Sequence, residues 1–192
     1  LLAFTAGVQA QLVTYPESLN PGMPHNDDYT VRVRIPGGEW KDLFEYNVQV
    51  DMDNVQNASM VQFDMGSAVE VMVKKNNGSV REVTIRPLSK GIEYKQIQNA
   101  ILFTLEKPQY LSIEFDGDRL HNLHLFANPL ETEKYDKETK GIMYFGPGVH
   151  RPKDLPNNQI RIPGNTTVYL APGAVVKAKL LVDKAENVRI IG

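Results

Sequence analysis

Two pairs of aspartates have a spacing that could support acid–base chemistry: Asp51 with Asp53, and Asp116 with Asp118. Two carboxyl groups held near each other can divide the roles of general acid and general base. Gly117 separates the second pair, however, and Asp-Gly-Asp between two alternating segments is first of all a turn sequence. The Asp51 pair lacks the glycine and the distal glutamate of a calcium-binding EF-hand loop. We therefore assign no catalytic or metal-binding role to either pair.

The other titratable side chains are expected to have structural roles. His121 and His124 are three residues apart, a spacing that puts both on one face of a helix but on opposite faces of the strand predicted here. A shared metal site is therefore not expected. His150 has no acidic partner nearby in the sequence and is expected to form a local hydrogen bond. Asp27 and Asp28 are expected in a loop.

Four aromatic residues are candidates for stacking on a sugar ring: Tyr15, Tyr29, Trp40 and Tyr46. An aromatic face suits the apolar face of such a ring. Tyr46 alternates with apolar neighbours and is expected in the core. Trp40 follows a Pro-Gly-Gly turn sequence and is the best exposed candidate, although tryptophan is more often buried.

Composition restricts the class of protein. The chain has 192 residues, 42% of them hydrophobic and 23% charged, which is ordinary for a globular protein. Its formal net charge of −2 provides no basic field for nucleic acid. The absence of cysteine excludes disulfides, thiolate metal ligands and thiol catalysis. The sequence has no apolar run long enough to span a bilayer as a helix and no phosphate-binding loop, so we expect no cofactor and no membrane span.

The first ten residues are expected to be the remnant of a secretion signal. Residues 1–7 have the character of an apolar signal core, and Val8-Gln9-Ala10 has the small-x-Ala form of a signal-peptidase site. Neither a starting methionine nor a basic segment precedes them, so we expect the sequence to be cut at this end. A short apolar first strand is the alternative. We expect a secreted protein, extracellular or periplasmic, whose mature chain begins near Gln11.

Between residues 30 and 127, apolar residues recur at every second position, which is the pattern of strands with one buried face. The stripes begin at Val31, Phe44, Val69, Val83, Ile101, Leu111 and Leu123. Asn76-Asn77-Gly78 is expected to form a tight hairpin that returns the chain along Val83 and Ile85. Short strands with frequent turns indicate an antiparallel β-sandwich with little helix.

Residues 131–140 mark a change in composition, since seven of the ten are charged and both signs are mixed. Such a segment is a solvated connector or one or two exposed helical turns. We place a domain boundary here, with a sandwich over residues 11–133 and a charged linker over residues 134–140.

After the linker, prolines punctuate short apolar segments. Val168-Tyr169-Leu170 and Val188-Arg189-Ile190 stand twenty residues apart, and further strand-like pieces lie between them. A repeat of about twenty residues with several short strands is typical of one coil of a parallel β-helix. Val168 is then expected to stack on Val188, and Leu170 on Ile190. Two further sandwich strands are the alternative, because a solenoid normally shows three or more repeats.

Three segments carry a resemblance to a known family. The most specific is Val-Tyr-Leu-Ala-Pro-Gly-Ala-Val-Val-Lys at residues 168–177, which residues 144–150 and 187–192 accompany. Together they resemble the start of the right-handed β-helix in secreted glycoside hydrolases of the polygalacturonase-like and dextranase-like families, which have the pectin-lyase fold. The upstream region is similar to the β-sandwich of the dextranase-like members, and residues 123–129 look like its closing strand.

The resemblance implies an all-β chain that ends in the first coils of a right-handed β-helix over residues 141–192. It implies a parent protein that hydrolyses the O-glycosyl bonds of a polysaccharide by acid–base catalysis with aspartates. In these families the catalytic aspartates lie on central coils beyond Gly192, so we assign no catalytic residue and expect this piece alone to be inactive. A polysaccharide lyase and a non-catalytic, carbohydrate-binding or adhesive β-helix protein are the alternatives.

The secretion signal leads to a direct test. If signal peptidase cleaves after Ala10, the exported protein begins at Gln11, which can cyclise to pyroglutamate. N-terminal sequencing of secreted material is expected to show Gln11 or its cyclised form. A start at Leu1 would contradict the signal-peptide interpretation.

Overall fold

The structure is a computed structural model that describes residues 11–15, 22–51, 53–153 and 155–192. The expected secretion signal lies outside these residues. Regular structure in the described residues is almost entirely β, which confirms the expected low helix content; the two exceptions are 3-10 segments at Leu88–Lys90 and Pro156–Asn158. No helix in the described part of the chain is long and apolar enough to cross a membrane.

The chain forms two compact units. Of the described residues, those within Leu1–Thr14 and Pro24–Leu130 form unit 1, and those within Tyr15–Met23 and Glu131–Gly192 form unit 2. The division falls between Leu130 and Glu131, at the start of the charged segment.

Unit 1 is built from two sheets. Its strands are β1 (Leu12–Thr14), β2 (Tyr29–Arg34), β3 (Lys41–Asp42), β4 (Tyr46–Val50), β5 (Gln56–Met65), β6 (Val69–Lys75), β7 (Val83–Arg86), β8 (Lys95–Ile97), β9 (Ala100–Leu105), β10 (Gln109–Phe115) and β11 (Leu123–Pro129). The six-stranded sheet has the order β1-β5-β11-β10-β7, with β4 also paired to β5. The five-stranded sheet has the order β3-β2-β6-β9-β8.

Both sheets contribute to one hydrophobic core. Val31 and Val33 of β2 and the three valines of β6 face it from the five-stranded sheet, while Leu111 and Ile113 of β10 face it from the six-stranded sheet. Their neighbours in sequence point the other way and are more exposed. The alternating stripes thus mark the buried faces, as expected from the sequence.

Strand β5 has no counterpart among the predicted stripes, although it is ten residues long. It pairs antiparallel with β1 and β4 and parallel with β11. The six-stranded sheet is therefore mixed, whereas a purely antiparallel sheet was expected. Val61, Phe63 and Met65 are buried at alternate positions, but Ser59 and Asp64 are buried as well. The polar residues in buried positions hid the alternation.

The expected hairpin at Asn76-Asn77-Gly78 is wrong. Strand β7 pairs with β10 in the six-stranded sheet, whereas β6 lies between β2 and β9 in the other sheet. A two-residue hairpin of this sequence needs a positive φ at both Asn77 and Gly78, and only Gly78 has one, at 71°. The Asn76 amide instead donates to the Asp27 carbonyl at 2.9 Å, and the Asn77 amide to the Asp28 carboxylate at 2.6 Å.

Unit 2 contains only parallel strand pairs among its described residues. Its strands are β12 (Ile142–Phe145), β13 (Gly148–His150), β14 (Gln159–Arg161), β15 (Thr167–Leu170), β16 (Ala174–Val176), β17 (Lys179–Leu181) and β18 (Arg189–Ile191). Each strand pairs with the strand three places later: β12 with β15, β13 with β16, β14 with β17 and β15 with β18. The two segments of the repeat, which form β15 and β18, therefore pair parallel and not antiparallel.

The register of the repeat differs from the expected one by two residues. Val168 pairs with Ile190, and Thr167 with Arg189. The Asn187 side chain donates to that of Asn165 at 2.9 Å, 22 residues earlier, and both asparagines have a φ of 56°. A shift of two residues keeps every side chain on the same face of the strand, so the apolar pattern alone could not distinguish the two registers.

The charged segment forms turns and no helix. Glu133 accepts two hydrogen bonds from the Arg189 guanidinium, at 2.9 and 3.0 Å, and one from the Tyr135 hydroxyl. These hydrogen bonds lower the pKa of Glu133 to about 2, and those from Arg189 have the largest effect. The Tyr135 ring also packs edge-to-face on Tyr169, with centroids 5.4 Å apart. The start of the segment is thereby joined to β15 and β18 of unit 2.

Two leucines of unit 1 provide a matched stability test. Leu125 has no exposed surface, whereas Leu88 is 66% exposed. Leu125→Ala is expected to lower the free energy of unfolding by about 2–5 kcal/mol, because it leaves a cavity in the core. Leu88→Ala is expected to change it by less than about 0.5 kcal/mol. Urea unfolding followed by the fluorescence of Trp40, the single tryptophan, measures both. Equal effects would contradict the assignment of the core.

Candidate functional site

The carboxylate of Asp116 binds backbone N–H groups. Asp116 and Gly117 have φ values of 54° and 76°, which gives the turn expected from the sequence. The Asp116 carboxylate accepts the backbone N–H groups of Arg81 at 2.9 Å and Glu82 at 3.1 Å. These two hydrogen bonds lower the pKa of Asp116. A carboxyl group that is held ionised in this way is poorly suited to act as a general acid.

Asp118 also closes a local turn. Its carboxylate accepts the backbone N–H groups of Leu120 at 2.9 Å and His121 at 3.0 Å, and its second oxygen lies 2.9 Å from Nδ1 of His121. His121 lies in the loop before β11, so the expectation that it shares a strand with His124 is wrong. The turn that Asp118 stabilises includes His121, and β11 begins to pair with β10 only at Leu123.

The Asp51 pair is a third local turn. The Asp51 carboxylate accepts the backbone N–H groups of Asp53 and Asn54, both at 3.2 Å, and Asp51 has a φ of 56°. Within the described ranges, no group of three or more histidine, aspartate or glutamate side chains is arranged so that it could hold a metal ion. The carboxylates of Asp51, Asp116 and Asp118 thus hold turns and loops.

His150 forms the local hydrogen bond that was expected. It lies on β13, and its Nε2 donates to the carbonyl of Gly146 at 2.7 Å. The imidazole packs edge-to-face on Phe145, with centroids 5.3 Å apart. Both contacts hold the segment between β12 and β13.

The four aromatic candidates are all at least partly covered. Tyr46 is buried, as expected, and so is Tyr29, whose hydroxyl donates to a backbone carbonyl at 2.7 Å. Trp40 and Tyr15 are half-buried. The guanidinium of Arg34 lies 4.3 Å from the centre of the Trp40 ring, which places a cation over that ring face. Trp40 is therefore a weaker sugar platform than its sequence context indicated.

A buried glutamate and a histidine form a polar cluster that the sequence analysis missed. Glu45 is 6% exposed; its carboxylate accepts the N–H of Val31 at 2.7 Å and lies 3.2 Å from Nε2 of His25. Nδ1 of His25 lies 2.9 Å from the Asp27 carboxylate. Burial raises the pKa of Glu45, although the hydrogen bonds from Val31 and His25 oppose this shift. The cluster ties the loop before β2 to the core; its members are too far apart in sequence for spacing to show it.

A second missed feature is an open groove of about 580 Å³ on the side of the six-stranded sheet that faces away from the core. Its lining includes Arg86, Leu88, Tyr110, Ser112, His124 and Phe126. We call it the outer groove. The signal was present in the sequence: Tyr110 and Ser112 alternate with core residues of β10, and His124 and Phe126 with core residues of β11.

Strand register places the lining of the outer groove in two rows. Tyr110 pairs with Phe126 across β10 and β11, and their rings pack edge-to-face with centroids 5.4 Å apart. Ser112 pairs with His124 on one side and with Arg86 on the other. One row is therefore aromatic, and the other carries groups that can form hydrogen bonds.

Two buried polar side chains, Asn122 and Glu114, form hydrogen bonds with members of the second row. The Ser112 hydroxyl accepts a hydrogen bond from the buried amide of Asn122 at 2.6 Å. The Arg86 guanidinium donates to the buried carboxylate of Glu114 at 2.7 Å, and Arg119 approaches the other oxygen of that carboxylate at 4.0 Å. Burial lowers the pKa of His124, which favours the neutral form of its imidazole.

Comparison with known proteins identifies a fold but no family. No protein-family model matches the sequence, and no curated protein matches it. The class that the chain shares with solved structures is an all-β fold. Among those structures, Dex49A from Penicillium minioluteum matches with a TM-score of 0.62 at 20% sequence identity. The match covers 86% of this chain but 44% of Dex49A, so the chain spans less than half the length of that protein.

The raised pKa of Glu45 predicts a pH dependence with a definite sign. The folded protein holds this proton more tightly than the unfolded chain does, so the associated stability is full below the ordinary pKa of 4.5 and is lost as pH rises through the folded pKa. Relative to Glu45→Gln, the wild type is therefore expected to lose stability between about pH 4 and about pH 7. Urea unfolding at both pH values measures this difference.

Glu93→Gln, at an exposed position, is the control for the Glu45 variant. Its difference from the wild type is expected to stay nearly constant over the same interval. A wild type that gains stability relative to Glu45→Gln as the pH rises would show that ionisation of Glu45 favours the folded state.

Proposed function

We propose that the chain is the N-terminal part of a secreted glycoside hydrolase that acts on a polysaccharide. The observation that carries the proposal is the likeness to Dex49A, whose name is that of a dextranase. A match over 86% of the chain cannot be contained in either unit alone and therefore includes residues of both. Function is inferred here from fold and resemblance, since one fold can serve several activities.

The proposed architecture is a β-sandwich over residues 11–133, a charged linker over residues 134–140 and the first coils of a right-handed β-helix over residues 141–192. Two sheets that share one core support the sandwich. The parallel pairing of each strand in unit 2 with the strand three places later supports the β-helix. Residues 168–177, the most specific segment of the resemblance, include β15 and β16.

The proposed chemistry is hydrolysis by two carboxyl groups, one acting as general acid and the other as base or nucleophile. Such groups stand about 5–9.5 Å apart across the scissile bond. Asp51, Asp116 and Asp118 accept backbone N–H groups in turns, which does not suit this role. We therefore place the catalytic carboxyl groups in coils that follow Gly192 in the parent protein.

Activity measurements on the parent protein test this function. The parent is expected to release reducing ends from a polysaccharide, with dextran and polygalacturonate as the first substrates. Asp116→Asn and Asp118→Asn in the parent are expected to retain this activity, and the 192-residue chain alone is expected to lack it.

Three outcomes would contradict the proposal. Unsaturated products would identify a lyase. A parent that binds polysaccharide without cleaving it would indicate an adhesin or a binding protein. Hydrolysis by the 192-residue chain that is lost in Asp116→Asn would place the active site in unit 1.

A further inference from the structure

We infer that the outer groove of unit 1 binds a segment of a neutral glycan. Sugar rings are expected to stack on Tyr110 and Phe126, and their hydroxyl groups to form hydrogen bonds with Ser112 and His124. The inference rests on the proposed function only in taking a polysaccharide as the class of ligand. Groove geometry and charge supply the rest.

The aromatic row lies on the outer face of the six-stranded sheet and is exposed, while the opposite face of the sheet packs in the core. Tyr110 is 57% exposed and Phe126 is half-buried, while Leu111 and Leu125 beside them are buried. Exposed apolar side chains that adjoin one another in a concave surface are typical of binding sites. Leu88, at 66% exposure, extends the same apolar surface on the 3-10 segment after β7.

The two rows together match a sugar better than they match a purely apolar ligand. Tyr110 and Ser112 are two residues apart on one strand, so the rows are about 7 Å apart at a rise of about 3.4 Å per residue. A sugar presents an apolar face and a rim of hydroxyl groups within that distance. A lipid chain or an apolar peptide face would cover Ser112 and His124 without satisfying them, which costs binding free energy.

The charge of the groove favours a neutral glycan over an acidic one. Arg86 is the one permanently charged residue among the described residues of the lining, and its guanidinium is bound to the buried Glu114 carboxylate at 2.7 Å. Burial of His124 favours its neutral form, so it adds little positive charge. A uronate carboxylate would therefore have to compete with Glu114 for its partner, whereas an uncharged hydroxyl needs no counter-charge.

The groove is also ordered before a ligand arrives. Tyr110, Ser112, His124 and Phe126 stand on two hydrogen-bonded strands whose opposite faces lie in the core. Buried Asn122 forms a hydrogen bond with Ser112, and buried Glu114 forms one with Arg86. Side chains fixed in this way lose little entropy on binding, which allows a shallow site to bind.

Affinity electrophoresis and isothermal titration calorimetry of the chain test the inference. Dextran, pullulan and a mixed-linkage β-glucan serve as neutral probes, and polygalacturonate serves as the acidic probe. At least one neutral glycan is expected to bind the wild type and to slow its migration in the gel. Polygalacturonate is expected to bind more weakly.

Single variants locate the binding. Tyr110→Ala and Phe126→Ala are each expected to weaken binding about tenfold, as the loss of one stacking partner implies. Tyr110→Phe keeps the ring and is expected to bind within about twofold of the wild type. Ile97→Ala is the matched control, because Ile97 is 48% exposed on β8 of the other sheet. Urea unfolding followed through Trp40 verifies that each variant is folded.

Each contrary result has a definite meaning. No binding of any neutral glycan overturns the inference, and so does tighter binding of polygalacturonate than of every neutral probe. Equal loss in Ile97→Ala and Tyr110→Ala shows non-specific adhesion and overturns the site. These measurements record binding, so they remain separate from the hydrolysis assay: a parent that binds glucan but cleaves nothing contradicts the proposed function and leaves the groove in place.

Discussion

The strongest constraint on the structure of unit 1 is that successive side chains of a strand point to opposite faces of the sheet. Each sheet must turn one face of every central strand into the shared core, because one core serves both sheets. Residues at the intervening positions are then left on the outer faces. In β10 and β11 those positions hold Tyr110, Ser112, His124 and Phe126. The same alternation that builds the core therefore also determines which side chains line the outer groove.

Alternation explains how much of the fold could be predicted from the sequence. Where apolar residues occupied every second position, as in β2, β6 and β10, the strand and its buried face were both evident. The pattern failed in β5, where Ser59 is fully buried and Asp64 nearly so. Ser59 and Asp64 are buried because strands that are distant in sequence, such as β11, pair with β5. A local sequence pattern does not show which distant strand will pair.

Pairing partners were less predictable than strands. Asn77-Gly78 has the composition of a tight hairpin, but Asn77 is used to bind the Asp28 carboxylate, and the chain crosses to the other sheet instead. In unit 2 the repeat was visible while its register was not, because shifts of two residues are equivalent for the apolar pattern. The contact between Asn165 and Asn187 distinguishes these registers. Such side-chain contacts are specific, but they become readable only once the strands are placed.

The candidate sites show the same division between local and distant information. Asp51 and Asp118 looked suited to catalysis, but each accepts backbone N–H groups two or three residues further along the chain, as is usual for aspartates in turns. Asp116 accepts the backbone N–H groups of Arg81 and Glu82, which are distant in sequence. Glu45 and His25, twenty residues apart, meet only in the folded chain. Sheet register also brings Ser112 and His124 together, next to Tyr110 and Phe126, and that combination suits holding a ligand rather than transforming one.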